Sequence, residues 1–139
     1  MRGICMAPLI DTHVWIWWLT RLPRLRPQII SALDDAAERP LLSVASLWEL
    51  SILVESGAVE LRPSPSDWLE KAIHPETVHL AQITRAVAEE LFRFPKKFPR
   101  DPADRIIVAT ARALDVPLLT YDRGIKNSGL VKLWNPRSL

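Results

Sequence analysis

Ala7-Pro8-Leu9-Ile10, then Asp11, then Thr12-His13-Val14-Trp15-Ile16-Trp17-Trp18-Leu19, is a short apolar run, one acid, and apolar residues returning at Val14, Trp15, Trp18 and Leu19. The first part reads as a buried strand and the second as a helix, so Asp11 stands at the carboxyl end of a strand. The same grammar recurs at the other end of the chain, where Pro117 to Thr120 forms a buried run that stops at Asp122.

Working outward, Pro27 suits the first turn of a second helix running to about Arg39, because proline there gives up an amide that has no partner anyway. Leu41 and Leu42 make a brief strand or extended entry to a long apolar helix that ends near Gly57 and contains Glu49. Ser66 is expected to cap a short helix ending before Pro75, and Val78 to Ile83 is a further strand. Thr84 to Phe94 reads as helix. Asp101 and Pro102 open another helix to about Asp115, and Val131 to Trp134 is expected as a last strand. Short apolar runs separated by helices predict a parallel sheet covered on both faces, a three-layer α/β/α domain. In such sheets, sites form beyond the carboxyl ends of the strands, where Asp11 and Asp122 fall.

The chain has 139 residues, 48% hydrophobic and 24% charged, which fits one compact domain over residues 1–139. Mean hydropathy of +0.05 leaves apolar surface for a partner. The single cysteine, Cys5, offers no internal disulfide and no cysteine metal site, which fits a reducing cytoplasm. The longest apolar stretch, Leu41 to Val54, is broken by Glu49 and too short to cross a bilayer. Net charge is +2, but cations gather as Arg21, Arg24 and Arg26, as Lys96, Lys97 and Arg100, and as Arg123 with Lys126. Arg21, Lys96, Lys97 and Arg123 are the candidate phosphate contacts.

The acids carry the chemistry. Glu49 lies among Leu47, Trp48, Leu50, Ile52, Leu53 and Val54, where an unpaired carboxylate costs several kcal/mol. Either a cation compensates it, or it closes a capping box with Ser46 three residues earlier. Asp101 and Asp104 are spaced to share one helix face. Asp101 is also a good N-cap and Asp104 a favourable first-turn charge, so Asp101 is expected as cap and Asp104 as ligand. Asp122, before Gly124, reads as a turn aspartate when taken alone. Taken together, Asp11, Glu49, Asp104 and Asp122 are expected in one crevice, where carboxylates about 4 Å apart repel by roughly 4 kcal/mol per pair at an effective dielectric near 20. A divalent cation would offset this, and all-oxygen ligands favour Mg²⁺ or Mn²⁺, hence phosphodiester hydrolysis. No Walker-type loop, nucleophile elbow or zinc-type histidine spacing competes. His13, beside Asp11, is a packed or solvated helix-start residue or a neighbour of the site. An aspartyl phosphatase is disfavoured by His13, which stands where a second aspartate would be wanted.

Five ordered segments carry a resemblance: Leu9-Ile10-Asp11-Thr12-His13, Trp15-Ile16-Trp17-Trp18-Leu19, Ser43-Val44-Ala45-Ser46-Leu47-Trp48-Glu49-Leu50, Arg100-Asp101-Pro102-Ala103-Asp104-Arg105-Ile106-Ile107-Val108-Ala109-Thr110-Ala111, and Leu118-Leu119-Thr120-Tyr121-Asp122. This set, spanning residues 9 to 122, resembles the PIN domains, most closely the VapC-type toxins of toxin–antitoxin pairs. The resemblance implies a Rossmann-like domain and Mg²⁺-dependent cleavage of RNA, restrained by a cognate antitoxin. It implies metal ligands at Asp11 and Asp104, with Asp101 also acidic in relatives, and Glu49 and Asp122 completing the pocket. Thr12 and Thr120 match supporting hydroxyls. Phe98-Pro99 stands where relatives often carry a histidine. The resemblance also implies a homodimer, or heterotetramers and larger assemblies with antitoxin. Trp15, Trp17 and Trp18 cannot all face one core, so at least one is expected exposed, in a groove for an antitoxin helix or at the dimer interface. The rival reading is a non-catalytic RNA-binding or protein-interaction module on the same fold.

Overall fold

The computed structural model describes residues 7–98 and 101–136; Cys5 and Arg100 lie outside them. The chain runs β1 (Leu9–Ile10), α1 (Thr12–Thr20), α2 (Pro27–Asp35), β2 (Leu41–Ser43), α3 (Val44–Glu55), α4 (Pro65–Ala72), β3 (His79–Ala81), α5 (Arg85–Phe92), α6 (Pro102–Leu114), β4 (Leu118–Leu119) and α7 (Arg123–Ser128). The four strands form one sheet in the order β3-β2-β1-β4, every pair parallel.

Why so few strand residues suffice follows from their alternation. Adjacent strand residues point to opposite faces. Leu9 and Leu118 pack with Ile107, Val108 and Ile125 on one face, while Ile10, Leu42 and Leu119 pack with Trp15, Ile29 and Leu50 on the other. In register, Leu9 stands beside Leu41 and Leu118, and Ile10 beside Leu42 and Leu119. The sheet is therefore apolar on both faces and takes a helical layer on each, the three-layer α/β architecture read from the sequence.

The structure corrects several boundaries. The helix from Pro27 stops at Asp35 rather than near Arg39, because Ala36 turns to extended backbone (φ −63°, ψ 137°) on the way to β2. Ser64, not Ser66, caps α4: its Oγ accepts the Asp67 amide at 3.1 Å, and Pro65 fills the first helical position. The strand expected over Val78 to Ile83 contracts to His79–Ala81, since Thr84 already caps α5. Val131 to Trp134 contributes one parallel bridge, Leu118 to Leu133, instead of a strand. Asn135-Pro136 follows directly, and proline cannot extend a ladder.

The tryptophan expectation fails in an informative way. Trp15 is fully buried and donates through Nε1 to the Ala72 carbonyl at 3.1 Å; Trp18 is 6% exposed and donates to Asp34 Oδ1 at 2.9 Å. Trp17 is half-buried, edge-on to Tyr121 and under the Arg24 guanidinium at 5.6 Å. Helix α1 is wrapped on nearly every side, so its ring-rich surface is core. The exposed tryptophan is Trp48, on α3. Among the described residues, no helix is long and apolar enough to cross a membrane.

Candidate metal centre

The parallel sheet brings the chain ends after β1 and β4 together. Asp11 leaves β1 in extended backbone and caps α1, its Oδ1 accepting the Val14 amide at 2.9 Å. Its Oδ2 accepts the hydroxyl of Thr120, the residue after β4. The Thr120 oxygen in turn accepts the Asp122 amide at 3.0 Å, and Asp122 caps α7 through Oδ1 to the Ile125 amide at 2.9 Å. One buried hydroxyl thus fixes both strand-end aspartates.

A second hydroxyl pair joins α1 to α3. Thr12 Oγ1 and Ser46 Oγ lie 2.8 Å apart, and Ser46 is fully buried. The capping-box alternative for Glu49 therefore falls away. The cap of α3 is Ser43, whose Oγ accepts the Ala45 amide at 3.1 Å, so Ser46 and Glu49 both belong to the helix interior. Glu49 sits one turn beyond Ser46, and its Oε1 is a buried oxygen without a hydrogen-bond partner. Such an orphan costs about 1–3 kcal/mol, more when charged.

Helix α6 supplies the remaining acids. Asp101 is the exposed N-cap, its Oδ1 accepting the amides of Ala103 at 2.9 Å and Asp104 at 3.4 Å. Asp104 is half-buried in the first turn. Glu49, Asp101 and Asp104 each bring one carboxylate oxygen within 4.8 Å of the others. Asp101 and Asp104 thus stand in one triad with Glu49, and Asp11 lies outside it.

The electrostatics tie all five acids to one site. Burial, then the charges of Asp101, Glu49, Asp122 and Asp11, push the Asp104 carboxyl up to about 7. Burial raises Glu49, opposed by the Thr12 hydroxyl and reinforced by Asp101 and Asp11. Burial also raises Asp11 against the Thr120 and Val14 hydrogen bonds, with Asp122 adding repulsion. The charge of His13, exposed on the first turn of α1, lowers both Asp11 and Glu49, which makes it a neighbour of the site.

The residues fit a hard divalent cation: every donor is oxygen, one donor is a buried orphan, and three carboxylates stand within 4.8 Å of one another. Glu49, Asp101 and Asp104 could hold such an ion, with Asp11 and Asp122 close enough to add their charge.

Of the candidate phosphate contacts, Arg21 is engaged elsewhere, in a two-pronged pair with Asp34 at 3.0 and 3.2 Å. Lys96, Lys97 and Arg123 are exposed, the lysines in the loop before α6 and Arg123 beside Asp122. Sequence reasoning missed Ser46 as a positioning residue. Taking Ser43 as the cap would have put Ser46 inside the helix, a buried hydroxyl needing a partner.

Comparison with known proteins agrees with this geometry. The PIN domain model matches residues 9–129. Ribonuclease VapC22 of Mycobacterium tuberculosis is 34% identical over 119 residues, 86% of this chain and 89% of that protein. Two solved structures share the fold at 14% identity with TM-scores of 0.69. One is VapBC2 from Rickettsia felis bound to a DNA fragment from its promoter, matched over 94% of this chain and 98% of that one. The other is DNA-bound VapBC from Salmonella typhimurium, over 94% and 99%.

Proposed function

The chain belongs to the PIN-domain family, and from that premise we propose that it is a Mg²⁺- or Mn²⁺-dependent endoribonuclease, the toxin of a toxin–antitoxin pair. The observation that carries the reading is the partnerless buried oxygen of Glu49 beside the carboxylates of Asp101 and Asp104. A divalent cation would satisfy that oxygen and offset the charge of its two neighbours.

In this reading Glu49, Asp101 and Asp104 hold the cation. When bound, a divalent cation lowers the pKa of a coordinated water and polarises the phosphoryl oxygen. Asp11, clamped by Thr120 and the Val14 amide, holds its remaining lone pairs in one orientation, available to the cation or to the proton of a water beside it. Asp122, exposed and set by the same threonine, adds negative charge on the solvent side of the pocket. Lys96, Lys97 and Arg123 attract the RNA backbone to a site that would otherwise repel it.

An antitoxin partner is supported by the two structural neighbours, which are VapBC assemblies. The exposed apolar side chains of Trp48 and Ile52 on α3 supply surface for a homodimer or for larger assemblies with antitoxin.

The test is cleavage of a labelled RNA with Mg²⁺, with EDTA, and by the double variant Asp11→Asn/Asp104→Asn. Cleavage should require the metal and fall by several orders of magnitude in the variant. Undiminished cleavage by the variant would remove these acids from the reaction, and RNA retention without cleavage in Mg²⁺ or Mn²⁺ would favour the non-catalytic module.

A further inference from the structure

Thr120, which bonds Asp11, and its neighbour Tyr121 line a cleft of about 400 Å³ together with Arg26, Lys126, Trp134 and several aliphatic side chains. Two aromatic rings and two cations stand over an aliphatic floor of Ile29, Leu118, Leu119 and Leu133, around a space in the range of small-ligand pockets. Tyr121 is fixed in place: its hydroxyl accepts the Arg26 amide at 3.2 Å, and Trp17 meets its ring edge-on at 5.7 Å. The Lys126 ammonium lies 5.3 Å from the Tyr121 ring centroid.

The charges around it are sorted. Arg21, on the same loop, is neutralised by Asp34, whereas Arg24, Arg26, Arg123 and Lys126 have no carboxylate partner among the described residues. Arg24 rests over the Trp17 ring and Lys126 over the Tyr121 ring, and cations held this way beside an acidic cluster suit a polyanion that must pass close to those acids. Thr120 links the two places, since it lines the cleft and donates to Asp11.

We propose that this cleft is a nucleotide subsite that takes one unpaired residue of the RNA strand next to the cleaved phosphate, its base stacked on Tyr121 or Trp134 and its phosphate held by Arg26 and Lys126. The assignment rests on the nuclease reading and adds to it the residues that hold the neighbouring nucleotide, whose base must stand outside any duplex stack to enter the cleft. Base stacking with cation support tolerates any base, so the subsite grips the strand without reading its sequence.

The test is fluorescence anisotropy of labelled hexauridylate with the full chain in EDTA, where no cleavage competes. Arg26→Ala/Lys126→Ala should bind at least about tenfold more weakly, with a shallower dependence of log K on log salt by about 0.7 for each lost contact. Tyr121→Leu should weaken binding by about tenfold at unchanged salt slope, since it removes a ring and no charge. Hexauridylate annealed to hexaadenylate in a clamped hairpin should bind more weakly than the free strand. Wild-type affinity and slope in Arg26→Ala/Lys126→Ala, or no binding by the wild type, would overturn the proposal; if Tyr121→Leu does not fold, the charge variant alone decides. A Mn²⁺-induced rise in melting temperature, measured on the same variants, should persist. Its absence in the wild type would count against the metal reading without touching the strand-binding result.

Discussion

Replacing Asp104 by asparagine should stabilise the metal-free protein above neutral pH while it destroys metal-dependent cleavage. Asp104 titrates near 3.8 in an unfolded chain and is pushed up to about 7 in the fold, by burial first and by Asp101, Glu49, Asp122 and Asp11 next. Between those values the folded state holds a proton that the unfolded state has released, so wild-type stability falls as pH rises from about 4 to about 7 and levels off beyond. A shift of about 3 units corresponds to roughly 4 kcal/mol at 1.36 kcal/mol per unit. The carboxyl is only half-buried, and solvent screening reduces this to about 2 kcal/mol. Asparagine removes the penalty but forgoes about 0.3–1 kcal/mol of favourable charge at the start of α6. The net expectation is a gain of about 1 kcal/mol at pH 8, or roughly 3–5 °C in Tm, shrinking towards zero near pH 4. The assay is thermal and urea unfolding of both proteins in EDTA across that range. A variant less stable than wild type at pH 8, or a difference that does not change with pH, would refute the electrostatic account of the site.

Three further outcomes follow from the same geometry. Glu49→Gln should fold normally and weaken Mn²⁺ binding by at least the roughly 10- to 100-fold that loss of an outer hydrogen-bond partner costs, read by titration calorimetry; unchanged affinity would exclude Glu49 as a ligand. Thr120→Val removes the hydroxyl shared by Asp11 and the Asp122 amide and should cost about 1–3 kcal/mol in urea unfolding, with cleavage reduced as well; a loss below about 0.5 kcal/mol would mean the hydroxyl does not couple the two strand ends. Trp15→Ala leaves a large cavity and an unanswered Ala72 carbonyl and should cost about 3–5 kcal/mol by the same measurement, a value below about 2 contradicting the placement of α1 as an enclosed helix.

The sequence exposed the strand-end logic because parallel strands buried on both faces are short unbroken apolar runs, and Leu9-Ile10 and Leu118-Leu119 are just that. What it concealed were matters of one or two residues and of surroundings. The start of α3 turns on whether Ser43 or Ser46 is the cap, a choice between two serines with the same chemistry, and it decided the meaning of Glu49. Helix α7 is six residues long, with Gly124 near its start and Asn127 near its end, so propensity favours a turn and only the Asp122 cap and buried Ile125 betray it. The exposure of a tryptophan depends on what the rest of the chain lays over it. No periodicity within α1 could show that Trp17 is covered by Arg24 and Tyr121, residues that arrive from the next loop and from beyond β4. The carboxylates were legible as a set, but their spacing was not: the compact triad is Glu49, Asp101 and Asp104, while Asp11 stands beside it, held by Val14 and Thr120.

The central claim is that acids distant in the chain converge on one divalent ion, and anomalous diffraction from crystals soaked in Mn²⁺ tests it most directly. The account predicts a single strong manganese peak, or a close pair, within about 2.5 Å of carboxylate oxygens from Glu49 and Asp104. A well-occupied peak bound elsewhere, with the Glu49 and Asp104 oxygens contacting no metal at saturating Mn²⁺, would contradict it.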